Sequence, residues 1–317
     1  MVFNTLINME NRTFKEISIQ WRTEKQQFVK RSTMAVYLLV LENHLFPYFG
    51  DLTVIDEQEV QTFVMQKLAA GLSQKSIKDM LIVLKMVVRY GVKNGFLQHQ
   101  EWDIKFPTEQ ASSTLPVLSI NHQRKLMKYV TENFTFRNLG ILLCLNTGMR
   151  IGEVCALTWD DIDVKQGIIH VNKTLERIYV VDGAEKHTEL ITSTPKTKNS
   201  NREIPITKDL VKILKPLKAI VNGSYYVLTN DSKPTEPRTY RNYYNKLLKG
   251  LDIPKLKFHG LRHSFATRCI ESQCDYKTVS VILGHANIST TLNLYVHPNL
   301  EQKKRCLDKM SKALGKL

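Results

Sequence analysis

The sequence contains no apolar run of the roughly 20 residues that would span a bilayer. Its start, MVFNTLINMENRTFK, lacks the basic opening and long apolar centre of a signal peptide. The expectation is no membrane partner and a cytoplasmic location with the nucleoid. No Cys-x-x-Cys pair occurs, and the five cysteines (Cys144, Cys155, Cys269, Cys274 and Cys306) are an odd set, which argues against a disulfide framework. Cys144 and Cys155 sit among Ile, Leu and Val and read as small core residues. There is no His-Glu-x-x-His, internal repeat or low-complexity segment. Acid is the scarce sign of charge. Thirty Asp and Glu face 45 Lys and Arg, giving a net charge of +15 and a pI near 9.5, a surplus that favours a polyanionic partner.

What is present suffices for ordinary cores: 43% of 317 residues are apolar, a length that predicts two domains at about 100–200 residues each. Residues 1–12 read as a short leader. Residues 13–97 read as four helices. Thr13 caps the first, through Val29, with Glu16 completing a capping box. The second starts at Ser32 or Thr33 and ends before Pro47; Asp56 and Ser73 cap the third and fourth, which Gly71 and Gly95 close. The polar faces of this domain are basic, and Lys75, Lys78, Lys85 and Arg89 are candidate phosphate contacts. Residues 98–117, with Pro107, Ser112, Ser113 and Pro116, read as an extended linker.

A second domain, 118–298, is expected to combine helices with a small antiparallel sheet, an α+β class that is mostly α. Ser119 caps its first helix, FRNLGILLCLNTG is a buried helix stopped by Gly148, and strands at 168–181, 188–195 and 202–206 pair as one three-stranded sheet. Asp209 caps a helix to Val221, and a helix at 239–250 carries Tyr240 and Arg241, which could lie along DNA or serve core and solvated-face roles. Asp160, Asp161 and Asp163 read as a solvated turn rather than a magnesium site. Asp275 caps a helix closed by Gly284, Ser289 caps the next, and residues 299–317 form a tail helix with an apolar stripe at Cys306, Leu307, Met310, Ala313 and Leu314.

The chain is organised around HGLRHSFATRCIESQCDYKTVSVILGHANISTTLNLY, 259–295. This stretch sets His259, Arg262 and His285 ahead of a single tyrosine, Tyr295. Two imidazoles and a guanidinium suit a phosphate that gains negative charge. A phenol of pKa about 10 is a poor nucleophile until a base or a positive field assists it. Upstream, NTGMRIGEVCALTWDDID (146–163) presents Arg150 just after an Asn-Thr-Gly turn, with Glu153 placed to pair with it or to hold nearby backbone. TPKTKNSNREIPI (194–206) reads as two short strands around a polar turn, with Lys196 at its rim.

These residues resemble the tyrosine recombinases, or phage integrases, whose pattern is Arg, a hairpin Lys, His-x-x-Arg, His or Trp, then Tyr. Arg150, Lys196, His259 with Arg262, His285 and Tyr295 fill every position in order. The resemblance covers about 115–300 well and the N-terminal region weakly, and it implies a helical core-binding domain followed by a catalytic domain that close on duplex DNA. It implies attack by Tyr295 on a phosphodiester, Arg150 and Arg262 on the non-bridging oxygens, and Lys196 protonating the 5′ oxygen, with Lys198 as a nearby competitor. His259 is then base or further donor, His285 a donor and His263 a brace. No metal or other cofactor is called for; Arg262, between His259 and His263, would repel a cation. The expected function is site-specific strand exchange through a 3′-phosphotyrosyl intermediate, serving a mobile element, a phage or an inversion system. The expected partners are double-stranded DNA with paired inverted half-sites and three further copies, a homotetramer on DNA that is a monomer or dimer without it. The alternatives are a strand nicking-closing enzyme like the type IB topoisomerases, and a non-catalytic DNA-binding protein on the same scaffold. The short leader leaves little room for an arm-type domain before Thr13, which favours a simple paired site.

Overall fold

The computed structural model describes residues 12–108, 116–182, 185–194, 198–295 and 300–315. The chain forms two units, 1–112 with 178–189 and 113–177 with 190–317. The first is helical: α1 (Phe14–Lys25), α2 (Arg31–Val40), α3 (Phe46–Phe49), α4 (Glu57–Ala69) and α5 (Gln74–Lys93). Thr13 and Glu16 form the expected capping box, with Glu16 N donating to Thr13 Oγ1 at 3.3 Å and Thr13 N to Glu16 Oε2 at 2.8 Å. The side chains of Asp56 and Ser73 cap α4 and α5. The apolar face of α5 packs with Phe14, Ile17, Trp21, Phe49 and Phe63 as one core. The first helix stops at Lys25, short of Val29.

The second helix does not end before Pro47. A π-helical turn, Leu41–Leu45, carries it into α3, with Phe46 N donating to Leu41 O. Pro47 cannot donate, and its ring crowds the carbonyl four residues back. Widening the preceding turn places Pro47 in the first turn of α3, where its missing N–H costs nothing. Residues 98–108 are extended but not a free tether. Gln61 brackets Lys105 as a strand partner would, donating from Nε2 to its carbonyl at 3.1 Å and accepting its N–H at 2.9 Å, while Trp102, Ile104 and Phe106 pack on the core.

The second unit is built on α6 (Ile120–Glu132), α7 (Phe136–Thr147) and α8 (Ile151–Ala156), then β1 (Ile162–Asp163), β2 (Ile168–Val171), the outer ends of β3 (Thr174–Asp182) and β4 (Glu185–Ser193), whose residues 178–189 fall in the first unit, and β5 (Arg202–Pro205). It closes with α9 (Lys208–Lys218), α10 (Pro237–Gly250), α11 (His259–Glu271), α12 (Tyr276–Leu283), α13 (Ile288–Tyr295) and α14 (Leu300–Leu314). Its core runs from Leu126 through α7 to Trp159, Ile169, Ile204, Tyr240 and Tyr244. Cys144 and Cys155 lie in this core, as their neighbours in sequence implied.

The single expected sheet is two. Antiparallel β1, β2 and β5 form one in that order, pairing Ile169 with Ile204 and Val171 with Arg202; among the described residues β3 and β4 form a separate two-stranded sheet. The break falls at Asn172 and Lys173, whose side chains both reach buried Asp161, Lys173 Nζ at 2.8 Å and Asn172 Nδ2 at 3.4 Å. Asp161 also accepts from Thr158 N at 2.8 Å, so it is an internal anchor rather than part of a solvated turn. Two caps shift in register. Thr207, not Asp209, caps α9, and Asn287 accepts from Ser289 N at 2.8 Å at the start of α13.

Candidate active site

Helix α7 ends at Gly148, in the left-handed region at φ 65°, where a Cβ would meet Phe265 at 2.6 Å and Leu283 at 2.8 Å. Glycine is required both by conformation and by space. Two residues on, Arg150 occupies the N-cap of α8 with extended backbone. Its backbone N–H donates to Glu153 Oε2 at 2.8 Å and its Nη1 to Glu153 Oε1 at 2.7 Å, so Glu153 does both of the things its spacing suggested. Glu153 is only 4% exposed. Burial works to raise its pKa, but the hydrogen bonds and charge of Arg202, with Arg150, outweigh it and hold the carboxyl below its usual range.

Helix α12 ends at Gly284, also left-handed at φ 66°. His285 N donates back to Ser280 O at 3.1 Å, closing the helix end and fixing where the histidine leaves it. The last carbonyls of a helix have no partners within it. Here three consecutive ones receive three guanidiniums. Arg202 Nε donates to Ile282 O at 2.6 Å, Arg262 Nη2 to Leu283 O at 2.7 Å, and Arg150 Nη2 to Gly284 O at 3.4 Å. Arg262, 2% exposed, also donates to Gly148 O at 3.0 Å, tying the end of α7 to the end of α12. The negative end of the α12 dipole and the Glu153 carboxylate thus hold three cations side by side. Arg150, with a third of its side chain exposed, is the most open of the three.

Two imidazoles border this cluster. His259 opens α11, and its ring meets that of His263 edge-on at 4.6 Å. Although solvent reaches the His259 ring, its pKa is pushed down to about 4, first by burial and then by His263, Arg262 and Arg150, with Glu153 pulling the other way. The positive neighbours alone give that direction. His285 is likewise pushed down to about 4 by burial, then by Arg262, Arg150 and Arg202. Both rings are neutral near pH 7 and can accept a proton; a bound phosphate would favour their charged forms. His285 Nδ1 lies 2.8 Å from Oγ1 of Thr291, a fully buried residue of α13, so the helix that carries Tyr295 orients this ring. A cleft of 840 Å³ adjoins His285, lined among others by His170, Asn172, Asn199, Arg202 and Lys277.

The structure therefore brings together Arg150, His259, Arg262 and His285, all in one unit. Tyr295 is the last residue of α13, which packs against α11 and α12; its side chain lies outside the described residues, as does Lys196. Asn199, three residues beyond Lys196, donates from Nδ2 to His285 O at 3.2 Å. Arg202, Asn199 and Thr291 are site neighbours that sequence reasoning missed. The alternation of β5 carried a signal for one: Ile204 faces the core, so Arg202, two residues earlier, shares its face. Lys75, Lys78, Lys85 and Arg89 all lie exposed on the outer face of α5, and Arg241 is exposed on α10. Tyr240 is not available to DNA: it is fully buried, and its hydroxyl donates to Arg137 O at 2.7 Å, because α10 turns that face into the core.

Residues 117–302 match the model of the phage integrase family, and residues 13–68 match the phage integrase N-terminal SAM-like domain. The chain is 29% identical to a tyrosine recombinase XerC-like protein of Caldanaerobacter subterraneus, over 83% of this chain and 73% of that one. It is 24% identical to the ICEBs1 integrase of Bacillus subtilis, over 87% and 76%. In fold it is similar to the Tn1549 transposon integrase solved with circular intermediate DNA, at a TM-score of 0.76 and 18% identity, covering 94% of this chain and 99% of that one. It is also similar to a lambda integrase tetramer bound to a Holliday junction, at a TM-score of 0.62 and 17% identity over 89% and 78%. Among the described residues no helix is long and apolar enough to cross a membrane. With a family model spanning more than half its length, and with Arg150, His259, Arg262 and His285 gathered around one helix end, the chain belongs to the phage integrase family and is a tyrosine recombinase.

Proposed function

We propose that this enzyme exchanges DNA strands at paired inverted half-sites through a 3′-phosphotyrosyl intermediate, for a mobile element. The observation that carries the reading is the gathering of Arg150 and Arg262 on adjacent carbonyls of residues 284 and 283, beside two neutral imidazoles. In cleavage the Tyr295 oxygen attacks phosphorus and gives its proton to His259. The two guanidiniums and His285 hold the non-bridging oxygens as charge builds. The bond from phosphorus to the 5′ oxygen breaks, and Lys196 protonates that leaving oxygen. The phosphotyrosyl bond retains the energy of the broken diester, so a 5′ hydroxyl from a second duplex reverses the step and joins new strands. Lys75, Lys78, Lys85, Arg89 and Arg241 contact phosphates.

The relatives named above include mobile-element integrases and a tetramer on a Holliday junction, which supports a tetramer here. So does α14, whose stripe leaves Leu307 60%, Met310 54% and Leu314 80% exposed, an apolar face suited to a neighbouring protomer. The deciding experiment uses a duplex built on the recovered recombination junction and nicked beside the cleavage site, so that religation is lost. The wild-type protein becomes covalently attached, whereas Tyr295→Phe binds with similar affinity and forms no adduct. An adduct from the Phe variant would refute the nucleophile. A protein that binds the junction without any adduct would be a DNA-binding protein on a recombinase scaffold, and relaxation of plasmids lacking the site would mark a nicking-closing enzyme.

A further inference from the structure

Arg202 is a buried, hydrogen-bonded side chain near the site and has no part in the chemistry above. It opens β5 and is 4% exposed at the side chain, as is Glu153. Four hydrogen bonds hold its guanidinium: Nε to Ile282 O at 2.6 Å, Nη1 to Glu153 Oε1 and to Ser200 O at 3.1 Å each, and Nη2 to Glu153 Oε2 at 3.0 Å. Its path runs beside Gly284, where a Cβ would stand 3.0 Å from Arg202 Cδ and 3.2 Å from Nη1. Each oxygen of Glu153 is shared between two arginines. Oε1 takes Nη1 of Arg150 and of Arg202; Oε2 takes the Arg150 backbone N–H and Arg202 Nη2.

The geometry points to Arg202 as a positioning residue for strand cleavage, one that orients Glu153 and, through it, Arg150, while pinning the loop after Lys196 to the end of α12. This rests on the roles given above to Arg150 and Lys196. Two physical effects follow from the shared carboxylate. A fork-to-fork pair fixes the carboxylate plane, so the Arg150 guanidinium is aimed before a phosphate arrives. The second effect is electrostatic. With two guanidiniums on one carboxylate, Arg150 is not fully neutralised and keeps attraction for a phosphate; with Arg202 gone, Glu153 becomes the sole counter-ion of Arg150 and competes with substrate. The Ser200 and Ile282 bonds add a mechanical link, because Ser200 ends the turn that begins two residues beyond Lys196, and Ile282 lies three residues before His285.

The test is single-turnover adduct formation on the nicked junction duplex, read against half-site affinity, for Arg202→Lys and Arg202→Met. Lysine keeps the buried charge beside Glu153 but offers a compact ammonium instead of a fork, so it preserves folding and loses aim. The expected result for Arg202→Lys is affinity within about 2-fold of wild type and a maximal cleavage rate lower by about 10-fold; for Arg202→Met the rate falls by about 100-fold, the scale of a misplaced catalytic group. If Arg202→Met does not fold, the lysine variant alone decides. A lysine variant that cleaves at the wild-type rate, or one that loses affinity while its maximal rate holds, would overturn the positioning role. A wild-type protein that forms no adduct would instead overturn the proposed function, and this inference with it.

Discussion

Gly284→Ala probes the helix end on which the site is hung. The backbone at Gly284 lies in the left-handed region, φ 66° and ψ 45°, where an L side chain costs about 1–2 kcal/mol. A Cβ there would also stand 2.7 Å from the backbone oxygen of Asn199 and 3.0 Å from Arg202 Cδ. A backbone oxygen cannot swing aside as a flexible side chain can, so either the 198–200 turn or the α12 end must shift, adding about 1–3 kcal/mol of overpacking. The total loss is then about 2–5 kcal/mol. Gly167→Ala is the control in the same unit: its φ is 70°, and the nearest atoms to a Cβ are 3.9 Å away, so only the conformational cost remains. Urea unfolding of both variants, with single-turnover cleavage under native conditions, separates the effects. Gly284→Ala should unfold at clearly lower urea than Gly167→Ala, and the molecules that remain folded should cleave slowly, because Arg150, Arg202 and His285 all meet at this corner. Equal midpoints and a wild-type cleavage rate for Gly284→Ala would refute the reasoning.

Lys196→Ala should cleave a normal substrate slowly and recover on a duplex with sulfur at the bridging 5′ position, which leaves without a proton; equal impairment on both would remove Lys196 from protonation. The lowered pKa values of His259 and His285 mean that, between pH 6.5 and about 4, the unfolded chain binds protons that the folded chain refuses, so stability is intact above pH 6.5 and falls as pH drops through that window. Urea midpoints at pH 7 and pH 5 should therefore converge in His285→Gln relative to wild type, and an unchanged gap would contradict the burial of that ring. Replacing any of Lys75, Lys78, Lys85 or Arg89 by Ala should flatten log affinity against log salt by about 0.9 for each phosphate no longer neutralised, whereas Tyr240→Phe should leave DNA affinity alone; slopes that do not move would take α5 off the duplex. Deleting 304–317 should spare folding and half-site binding but abolish cooperative occupancy of the paired site, and a truncated protein that recombines at the wild-type rate would defeat docking by α14.

The sequence by itself determined the helices, the ends of most of them and the identity of the motif residues, because these are local matters. A capping box needs three residues, a left-handed helix end needs one glycine, and an apolar face repeats every three or four positions. Thr13, Asp56, Ser73, Ser119 and Asp275 act as caps where the sequence placed them. Local rules misled where a distant partner intervened. Residues 168–181 alternate like one strand, yet buried Asp161 draws Asn172 and Lys173 out of the ladder. For Tyr240 the helix left DNA, core and solvent all open, and the turn of α10 sends it into the core. What holds the arginines of the site is set by packing between distant segments. Arg150, Arg202 and Arg262 are scattered over more than a hundred residues, and nothing in their spacing relates them. They converge because a helix end leaves carbonyls unsatisfied, and because one buried carboxylate balances charge for two of them.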